Sequence, residues 1–275
     1  KLRKAKSEGK LPKMVIPVHL AGQSCDMQRI HALAEEYGFA VTEDASHAVG
    51  ADYLNTKVGS CAFSDMTVFS FHPVKIITTG EGGMVLTNRE DLYEKLLLYR
   101  SHGITRNAAD MTHEPDGPWY YQQIDLGFNY RMTDLQAALG CSQMDRLDTF
   151  VTRRRELVAR YDAALQDLPV KTPYVMEGAN PSWHLYVIRV DFTKVCKSKR
   201  EVFAQMAERG VALNLHYIPV HTQPYYEALG HRPEECPNAM EYYREALTLP
   251  LYYGLSDEEQ DRVVENLASV LTERC

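Results

Sequence analysis

The chain has 275 residues, of which 45% are apolar, 24% charged and 10% aromatic, and its formal net charge is −7. These proportions are typical of a folded globular protein and exclude a disordered or collagen-like chain. The sequence contains no apolar run of the roughly 20 residues that a membrane helix needs, so we expect a soluble, cytoplasmic protein without a membrane partner. The acidic balance argues against nucleic acid as a partner.

The first thirteen residues are an exception to this balance, with six Lys or Arg and one Glu. A basic tail that binds polyanions is one interpretation. The pattern favours a solvated helix face or linker that leads into the next strand.

Strands and helices are expected to alternate through the first 150 residues. Apolar runs predict strands at 14–19, 39–42, 66–71 and 84–87, and helical spacing predicts helices at 26–37 and 90–100. This alternation is typical of a mostly parallel sheet covered by helices, which is an α/β fold. Residues 103–128 are rich in Gly and Pro and are expected to form a long loop, either functional or disordered.

The second half predicts a smaller α+β unit. Two helices run from Thr133 to about residue 147 and on to about 168, and Pro169 marks a boundary. Beyond it we expect strands at 184–190 and 211–217, a helix at 198–209, and a last helix that begins at Ser256 with a capping box. The predicted domains are therefore residues 1–168 and 169–275.

Several common site types lack support in this sequence. The six cysteines are scattered without a CxxC pair, so we expect reduced thiols and no metal site. Gly80, Gly82 and Gly83 lie close together, but they do not form GxGxxG, and no GxxxxGK[ST] occurs. Dinucleotide-binding and P-loop functions therefore lose their main support.

Two segments carry candidate catalytic groups. Asp44 directly follows a strand, where ligand-binding carboxylates of α/β sheets lie, although Asp also caps turns in such places. Lys75 lies in a loop ahead of the glycines at 80–83; a lone loop lysine is usually a surface residue. Together, however, they are the two groups that pyridoxal 5′-phosphate requires. A lysine binds its aldehyde as a Schiff base, and a carboxylate keeps its pyridine nitrogen protonated.

Four blocks of the sequence resemble the DegT-like sugar-nucleotide aminotransferases, a branch of the fold-type I pyridoxal-phosphate enzymes. The blocks are EDASHAVGADY, GSCAFSDMTVFSFHPVKIITTGEGGMVLTN, RSHGITR and LGFNYRMTDLQAALG. The resemblance runs from Met14 to the C-terminus. It implies a pyridoxal-phosphate-binding large domain with a mostly parallel sheet and flanking helices, followed by a smaller C-terminal α+β domain. RSHGITR, HYIPVHTQPYY and LTLPLYYGLSDEEQDRV are most similar to the branch that acts in pseudaminic acid synthesis.

The resemblance implies a role for each matching residue around the cofactor. Lys75 is implied as the lysine that binds the cofactor and moves the proton, and Asp44 as the partner of the pyridine nitrogen. His47 is implied to lie beside the cofactor ring and its 3-hydroxyl. Ser70 and Asn129 are implied to donate hydrogen bonds to the cofactor phosphate, Asn129 from the other subunit of a homodimer.

The resemblance also implies contacts with the substrate. Arg131 is implied to meet the nucleotide diphosphate, since its planar fork suits phosphate oxygens; a surface arginine is the alternative. His216 and Tyr217 are implied as substrate contacts in the second domain. Packing in the core or at an interface explains Tyr217, like Trp183, equally well.

The implied activity is transamination of a UDP-linked 4-keto-6-deoxyhexosamine to the 4-amino sugar, with an amino-acid donor that is glutamate by analogy. The alternative is a catalytically inactive fragment or relative that binds a sugar nucleotide or protein partner without turnover. Lys75 argues against that alternative, and also against the family's dehydratases, which have His at this position. Family members carry upstream strands and a phosphate-binding loop that this sequence does not contain. The chain therefore resembles an N-terminally truncated member.

Overall fold

A computed structural model describes residues 1–273, which form two compact units. The first unit comprises residues 1–20 and 24–147, and the second comprises residues 21–23 and the chain from 148 onwards. The predicted domain boundary at 168/169 stays a prediction, since compact units and functional domains need not coincide. In the structure, the second unit also includes the helix that precedes that boundary.

The first unit is built on a sheet with the strand order β1-β2-β5-β6. β1 is parallel to β2 and β2 is parallel to β5, whereas β6 is antiparallel to β5. Two short antiparallel pairs, β3 with β4 and β7 with β8, lie outside this sheet. The strands are β1 (Met14–Val15), β2 (Ala40–Asp44), β3 (Asp52–Tyr53), β4 (Thr56–Lys57), β5 (Met66–Ser70), β6 (Gly83–Leu86), β7 (Ile104–Thr105) and β8 (Gln122–Gln123).

The helices of the first unit begin and end at residues that satisfy their terminal backbone groups. They are α1 (Leu2–Ser7), α2 (Met27–Tyr37), α3 (Glu90–Arg100) and α4 (Asp134–Met144). Asp26 caps α2 by accepting the amide N–H of Arg29, and Gly38 ends the helix with a φ of +73°. Thr133 and Gln136 form a reciprocal capping box at the start of α4.

The second unit packs helices onto an antiparallel sheet with the order β12-β11-β9. Its elements are α5 (Leu147–Ala164), β9 (Val170–Lys171), β10 (Ala179–Asn180), β11 (Tyr186–Val190), α6 (Lys199–Glu208), α7 (Pro224–Ala228), α8 (Pro237–Glu245), β12 (Ala246–Leu249) and α9 (Asp257–Thr272). Its core joins α5, α6, α9 and the sheet through buried side chains such as Tyr161, Tyr186, Met206, Leu247 and Leu267. Ser256 caps α9 in the predicted capping box with Glu259.

The α/β class and the mixed sheet with flanking helices are confirmed, while some local predictions are wrong. The segment 211–217 forms no strand; its pairing is limited to one antiparallel bridge, in which Asn214 and Thr248 of β12 exchange backbone hydrogen bonds at 3.1 and 2.8 Å. Residues 103–128 contain the β7–β8 pair rather than an uninterrupted loop. Four cysteines are free thiols, but Cys196 is disulfide-bonded, which corrects the expectation of six reduced thiols. Cys275 lies outside the described residues.

Within residues 1–273, no helix is both long enough and apolar enough to cross a bilayer.

Candidate active site

Asp44 ends β2, and the segment that follows β1 holds both its backbone amide and its carbonyl. Its amide N–H donates to the carbonyl of Pro17 at 2.9 Å, and its carbonyl accepts the amide N–H of His19 at 2.9 Å. Its Oδ1 accepts hydrogen bonds from the amide N–H and the hydroxyl of Ser46, at 3.1 and 2.6 Å. The other carboxylate oxygen takes part in neither bond, so it is the one available to an approaching ligand.

Lys75 lies in the Lys75 loop, residues 71–82, which joins β5 to β6. The buried side chains of Ile76 and Ile77 anchor this loop, and the Lys75 amide N–H donates to the carbonyl of His72 at 3.0 Å. Partial burial lowers the pKa of the Lys75 ammonium, and the nearby charge of Asp44 opposes this by raising it. A half-buried amine with a lowered pKa and a carboxylate within electrostatic reach is the arrangement of a nucleophilic lysine.

Hydrogen bonds close the Lys75 loop at its base. The Phe71 amide N–H donates to the carbonyl of Gly82 at 2.8 Å, and the Thr79 amide N–H donates to the carbonyl of Phe71 at 3.0 Å. The Thr79 hydroxyl donates to the carbonyl of Glu81 at 2.7 Å. Gly82 has no room for a side chain, since a Cβ there would lie 2.3 Å from the Thr79 hydroxyl oxygen. Gly82 therefore permits close packing, whereas a Cβ on Gly80 would meet nothing within 4 Å.

His47 and Ser70 lie near these two groups in the sequence and in the sheet. His47 is buried in the turn that follows Asp44. Ser70 is the last residue of β5, is partly buried, and accepts the amide N–H of His72 on its hydroxyl at 3.4 Å. The ends of the neighbouring parallel strands β2 and β5 thus place Asp44, His47, Ser70 and Lys75 at one edge of the sheet.

Asn129 and Arg131 are exposed in the segment between β8 and α4. Asn129 forms an antiparallel bridge with Ser101, and the Tyr130 amide N–H donates to the carbonyl of Arg100 at 2.9 Å. The backbone of this segment is therefore fixed to the end of α3, while both predicted side chains remain accessible to a ligand or a partner.

His216 and Tyr217 belong to the second unit. His216 Nδ1 forms a hydrogen bond with the Thr248 hydroxyl at 2.8 Å, and its carbonyl accepts the hydroxyl of Tyr242 at 3.2 Å. The Tyr217 side chain is 50% exposed, which disfavours core packing as its explanation. The structure thus groups the predicted cofactor residues in the first unit and the two predicted substrate residues of the small domain in the second.

One buried group next to the site was not predicted from the sequence. Glu43 points away from Asp44, as neighbours on a strand do, and its carboxylate accepts from His19, Ser64 and Thr67 at 2.6, 2.5 and 3.0 Å. Burial raises the pKa of Glu43, but these hydrogen bonds outweigh it and hold the pKa below its ordinary value. Glu43 and Asp44 are adjacent on a strand, so their side chains point to opposite faces of the sheet. This adjacency is the signal that could have indicated one structural and one functional carboxylate.

The contact between His19 and the backbone of Cys25 indicates which ring nitrogen of His19 donates to Glu43. His19 Nδ1 accepts the amide N–H of Cys25 at 3.2 Å, so Nε2 carries the proton that is donated to Glu43. Burial lowers the pKa of the His19 imidazole, but its contacts with Cys25 and Glu43 outweigh burial and raise the pKa to about 9. The buried pair of His19 and Glu43 supports the sheet beneath Asp44.

The donor set of the first unit fits pyridoxal 5′-phosphate. An amine with a lowered pKa can bind an aldehyde, and a carboxylate with one oxygen uncommitted can hold a pyridinium proton. The strand-end location of both groups is where open α/β sheets bind ligands. The fold and this site together are those of a pyridoxal-phosphate-dependent α/β enzyme.

The chain belongs to the DegT/DnrJ/EryC1/StrS aminotransferase family, which it matches over residues 4–268. It is therefore a sugar aminotransferase by family, and its cofactor is pyridoxal phosphate. It is 41% identical over 262 residues to the spore coat polysaccharide biosynthesis protein SpsC of Bacillus subtilis (strain 168), covering 94% of this chain and 67% of SpsC.

The chain is also similar to solved structures of aminotransferases. The putative sugar aminotransferase Spr1654 from Streptococcus pneumoniae, in its PMP-form, matches with a TM-score of 0.82 and 30% identity over 94% of this chain and 69% of that chain. Helicobacter pylori PseC, an aminotransferase involved in the biosynthesis of pseudoaminic acid, matches with a TM-score of 0.85 and 29% identity, over 95% and 67%. The chain thus spans about two thirds of the length of these relatives.

Proposed function

We propose that the protein aminates a UDP-linked 4-keto-6-deoxyhexosamine at C4, using glutamate as the amino donor, as a homodimer in the cytoplasm. The observation that carries this proposal is the pairing of Lys75, whose pKa is lowered by burial, with Asp44 at the strand-end edge of the sheet. The similarity to PseC, an aminotransferase involved in the biosynthesis of pseudoaminic acid, supports an amino sugar as the product class.

Each predicted residue has a task in this reaction. Lys75 binds the cofactor aldehyde through Nζ, and the uncommitted oxygen of Asp44 holds the proton of the pyridine nitrogen. His47 packs beside the ring, and the Ser70 hydroxyl and the Asn129 amide donate hydrogen bonds to the phosphate. The exposed guanidinium of Arg131 binds the diphosphate of the sugar nucleotide, because its planar fork matches two phosphate oxygens. His216 and Tyr217 contact the sugar.

Proton transfer falls to Lys75. When bound, pyridoxal phosphate supplies an electron sink that accepts the electron pair of a broken C–H bond. Lys75 Nζ takes the proton from the α-carbon of the amino donor in the first half-reaction and delivers a proton to C4 of the sugar in the second. The lowered pKa of Lys75 suits this work, since a neutral amine is needed to accept the proton near neutral pH.

Replacing Lys75 tests the site. In Lys75→Ala we expect the visible absorbance band of lysine-bound cofactor to disappear and transamination to stop, because the Nζ that binds the cofactor aldehyde is removed. Lys199→Ala is the matched control, since burial also lowers the pKa of Lys199 but that lysine contacts Tyr243 in the second unit. Retention of both the band and turnover in Lys75→Ala would contradict the assignment.

A panel of nucleotide sugars tests the substrate. We expect the highest kcat/KM with a UDP-linked 4-keto-6-deoxy-N-acetylhexosamine and glutamate, and lower values with dTDP-linked 4-keto sugars. The dTDP-linked 4-keto sugars serve as competitors that differ from the proposed substrate in the nucleotide. A preference for a dTDP-linked substrate would reject the UDP sugar while leaving sugar amination intact.

A further inference from the structure

The side chain of Gln136 connects two parts of the first unit that the reaction needs. Its Nε2 donates a hydrogen bond to the main-chain carbonyl of Glu81 at 3.0 Å, across 55 positions of sequence. Glu81 belongs to the Lys75 loop, and Gln136 lies in the first turn of α4, directly after the segment that carries Asn129 and Arg131.

The other end of the same amide is fixed as well. Gln136 Oε1 accepts the amide N–H of Thr133 at 3.0 Å and the Thr133 hydroxyl at 3.1 Å, and the Gln136 amide N–H donates back to that hydroxyl at 3.3 Å. The side chain therefore uses its acceptor to cap α4 and its donor to hold the Lys75 loop. Only an amide can do both, because a carboxylate of the same shape has no N–H to donate.

Close packing between the Lys75 loop and the region of α4 accompanies the hydrogen bond of Gln136. A Cβ on Gly140 of α4 would lie 2.9 Å from Cγ2 of Thr79, and a Cβ on Gly82 would lie 2.8 Å from Cε of Met132. The Thr79 side chain is buried and its hydroxyl donates to the same Glu81 carbonyl that Gln136 reaches. The Lys75 loop thus approaches α4 or the residue Met132 just ahead of its cap at three places.

We propose that Gln136 is a positioning residue that fixes the Lys75 loop to the start of α4. It acts through its hydrogen bond to the Glu81 carbonyl, which keeps Lys75 at a fixed position relative to the segment 129–133. Its catalytic consequence rests on the proposed function, in which Lys75 binds the cofactor and that segment holds phosphate groups. A shift of about 1 Å in a reacting group can cost on the order of a hundredfold in rate, so a single tether at this point can matter.

Gln136→Glu separates the two uses of the side chain. Glutamate at this position retains the capping box and suits the positive end of the helix, so we expect α4 to be preserved. The donor to Glu81 is lost, so amide hydrogen exchange in a peptide spanning 72–83 should become about two- to tenfold faster, as expected for one net hydrogen bond. Thr133→Ala is the matched control, which weakens the cap and leaves the Nε2 donor in place.

The exchange measurement is made on the protein without added cofactor, and steady-state kinetics are measured on the loaded enzyme. We expect kcat to fall in Gln136→Glu while KM for the amino donor is unchanged, and Thr133→Ala to accelerate exchange in α4 rather than in the loop. Unchanged exchange in 72–83 for Gln136→Glu would overturn the proposal. Because that readout needs no turnover, it fails independently of the proposed function, which fails if Lys75→Ala remains active.

Discussion

At the scale of single residues, the site depends on a balance around Lys75. Burial disfavours the charged ammonium and lowers its pKa, and the Asp44 carboxylate favours it and raises the pKa. Burial is the larger effect, so the amine loses its proton more readily than an exposed lysine does. The same carboxylate is held by Ser46 through only one of its two oxygens.

This balance predicts the pH dependence of Lys75 in the absence of cofactor. The substitution Asp44→Asn keeps the size of the side chain and removes its charge, so the pKa of Lys75 should fall further. Labelling of Lys75 by an amine-reactive reagent, followed by peptide mapping, should then rise at a lower pH than in the unmodified protein. Lys199 serves as an internal control, since burial alone lowers its pKa and its labelling curve should not move. A shift of the Lys75 curve to higher pH would contradict the sign of the Asp44 contribution.

At the scale of elements, Gly103 and Gly127 allow the segment that follows α3 to cross closely over the segment that leads to Asn129. A Cβ on Gly127 would lie 2.2 Å from the amide nitrogen of Gly103, and a Cβ on Gly103 would lie 1.9 Å from the carbonyl oxygen of Asp125. Gly103 also has a φ of +70°, which L side chains rarely adopt. The backbone after α3 and the backbone before Asn129 therefore approach one another more closely than any side chain allows.

We expect Gly127→Ala to lower the free energy of unfolding by about 1–3 kcal/mol, since the clash is with backbone that has no flexible end to move. The displaced Asn129 segment should also weaken cofactor binding, which is measured by absorbance titration alongside urea unfolding. Gly254→Ala is the control, because a Cβ there meets only Tyr252, at an ordinary 3.8 Å. Equal stability of the two variants would show that the crossing relaxes without cost.

Sequence reasoning predicts the parts of this fold that local chemistry determines. Helix α3 has the bounds that its apolar spacing predicts. Helix α9 starts at the predicted cap Ser256, because a capping signal lies within a few residues of the helix end it sets. The segment 211–217 has the apolar pattern of a strand, but it pairs with β12 through a single bridge at Asn214, and the number of pairing partners is not recorded in a local pattern. The resemblance provided the roles of Asp44 and Lys75. It could not provide the Gln136 tether, whose partner is a main-chain carbonyl far away in sequence.

At the scale of the whole molecule, the proposed homodimer makes each site depend on two chains. If Asn129 acts on the cofactor phosphate of the other subunit, Lys75→Ala and Asn129→Ala impair different parts of each site. We expect a mixture of the two inactive variants, after subunit exchange, to recover part of the activity, because some dimers then contain one site with both residues intact. If the mixture is no more active than the separate variants, Asn129 serves the site that contains Lys75 of its own subunit.

Residues 21–23 give the molecule an unusual connectivity. The carbonyls of Gly22 and Ala21 accept the amide N–H groups of Ser182 and Leu185, at 3.1 and 3.4 Å, and Gln23 Oε1 accepts the amide N–H of Met176 at 2.9 Å. This tripeptide is part of the second unit although its neighbours on both sides belong to the first. The chain therefore passes between the units three times. A single cut after residue 147 does not yield two self-contained pieces, and any split or chimeric version has to carry the tripeptide with the C-terminal half.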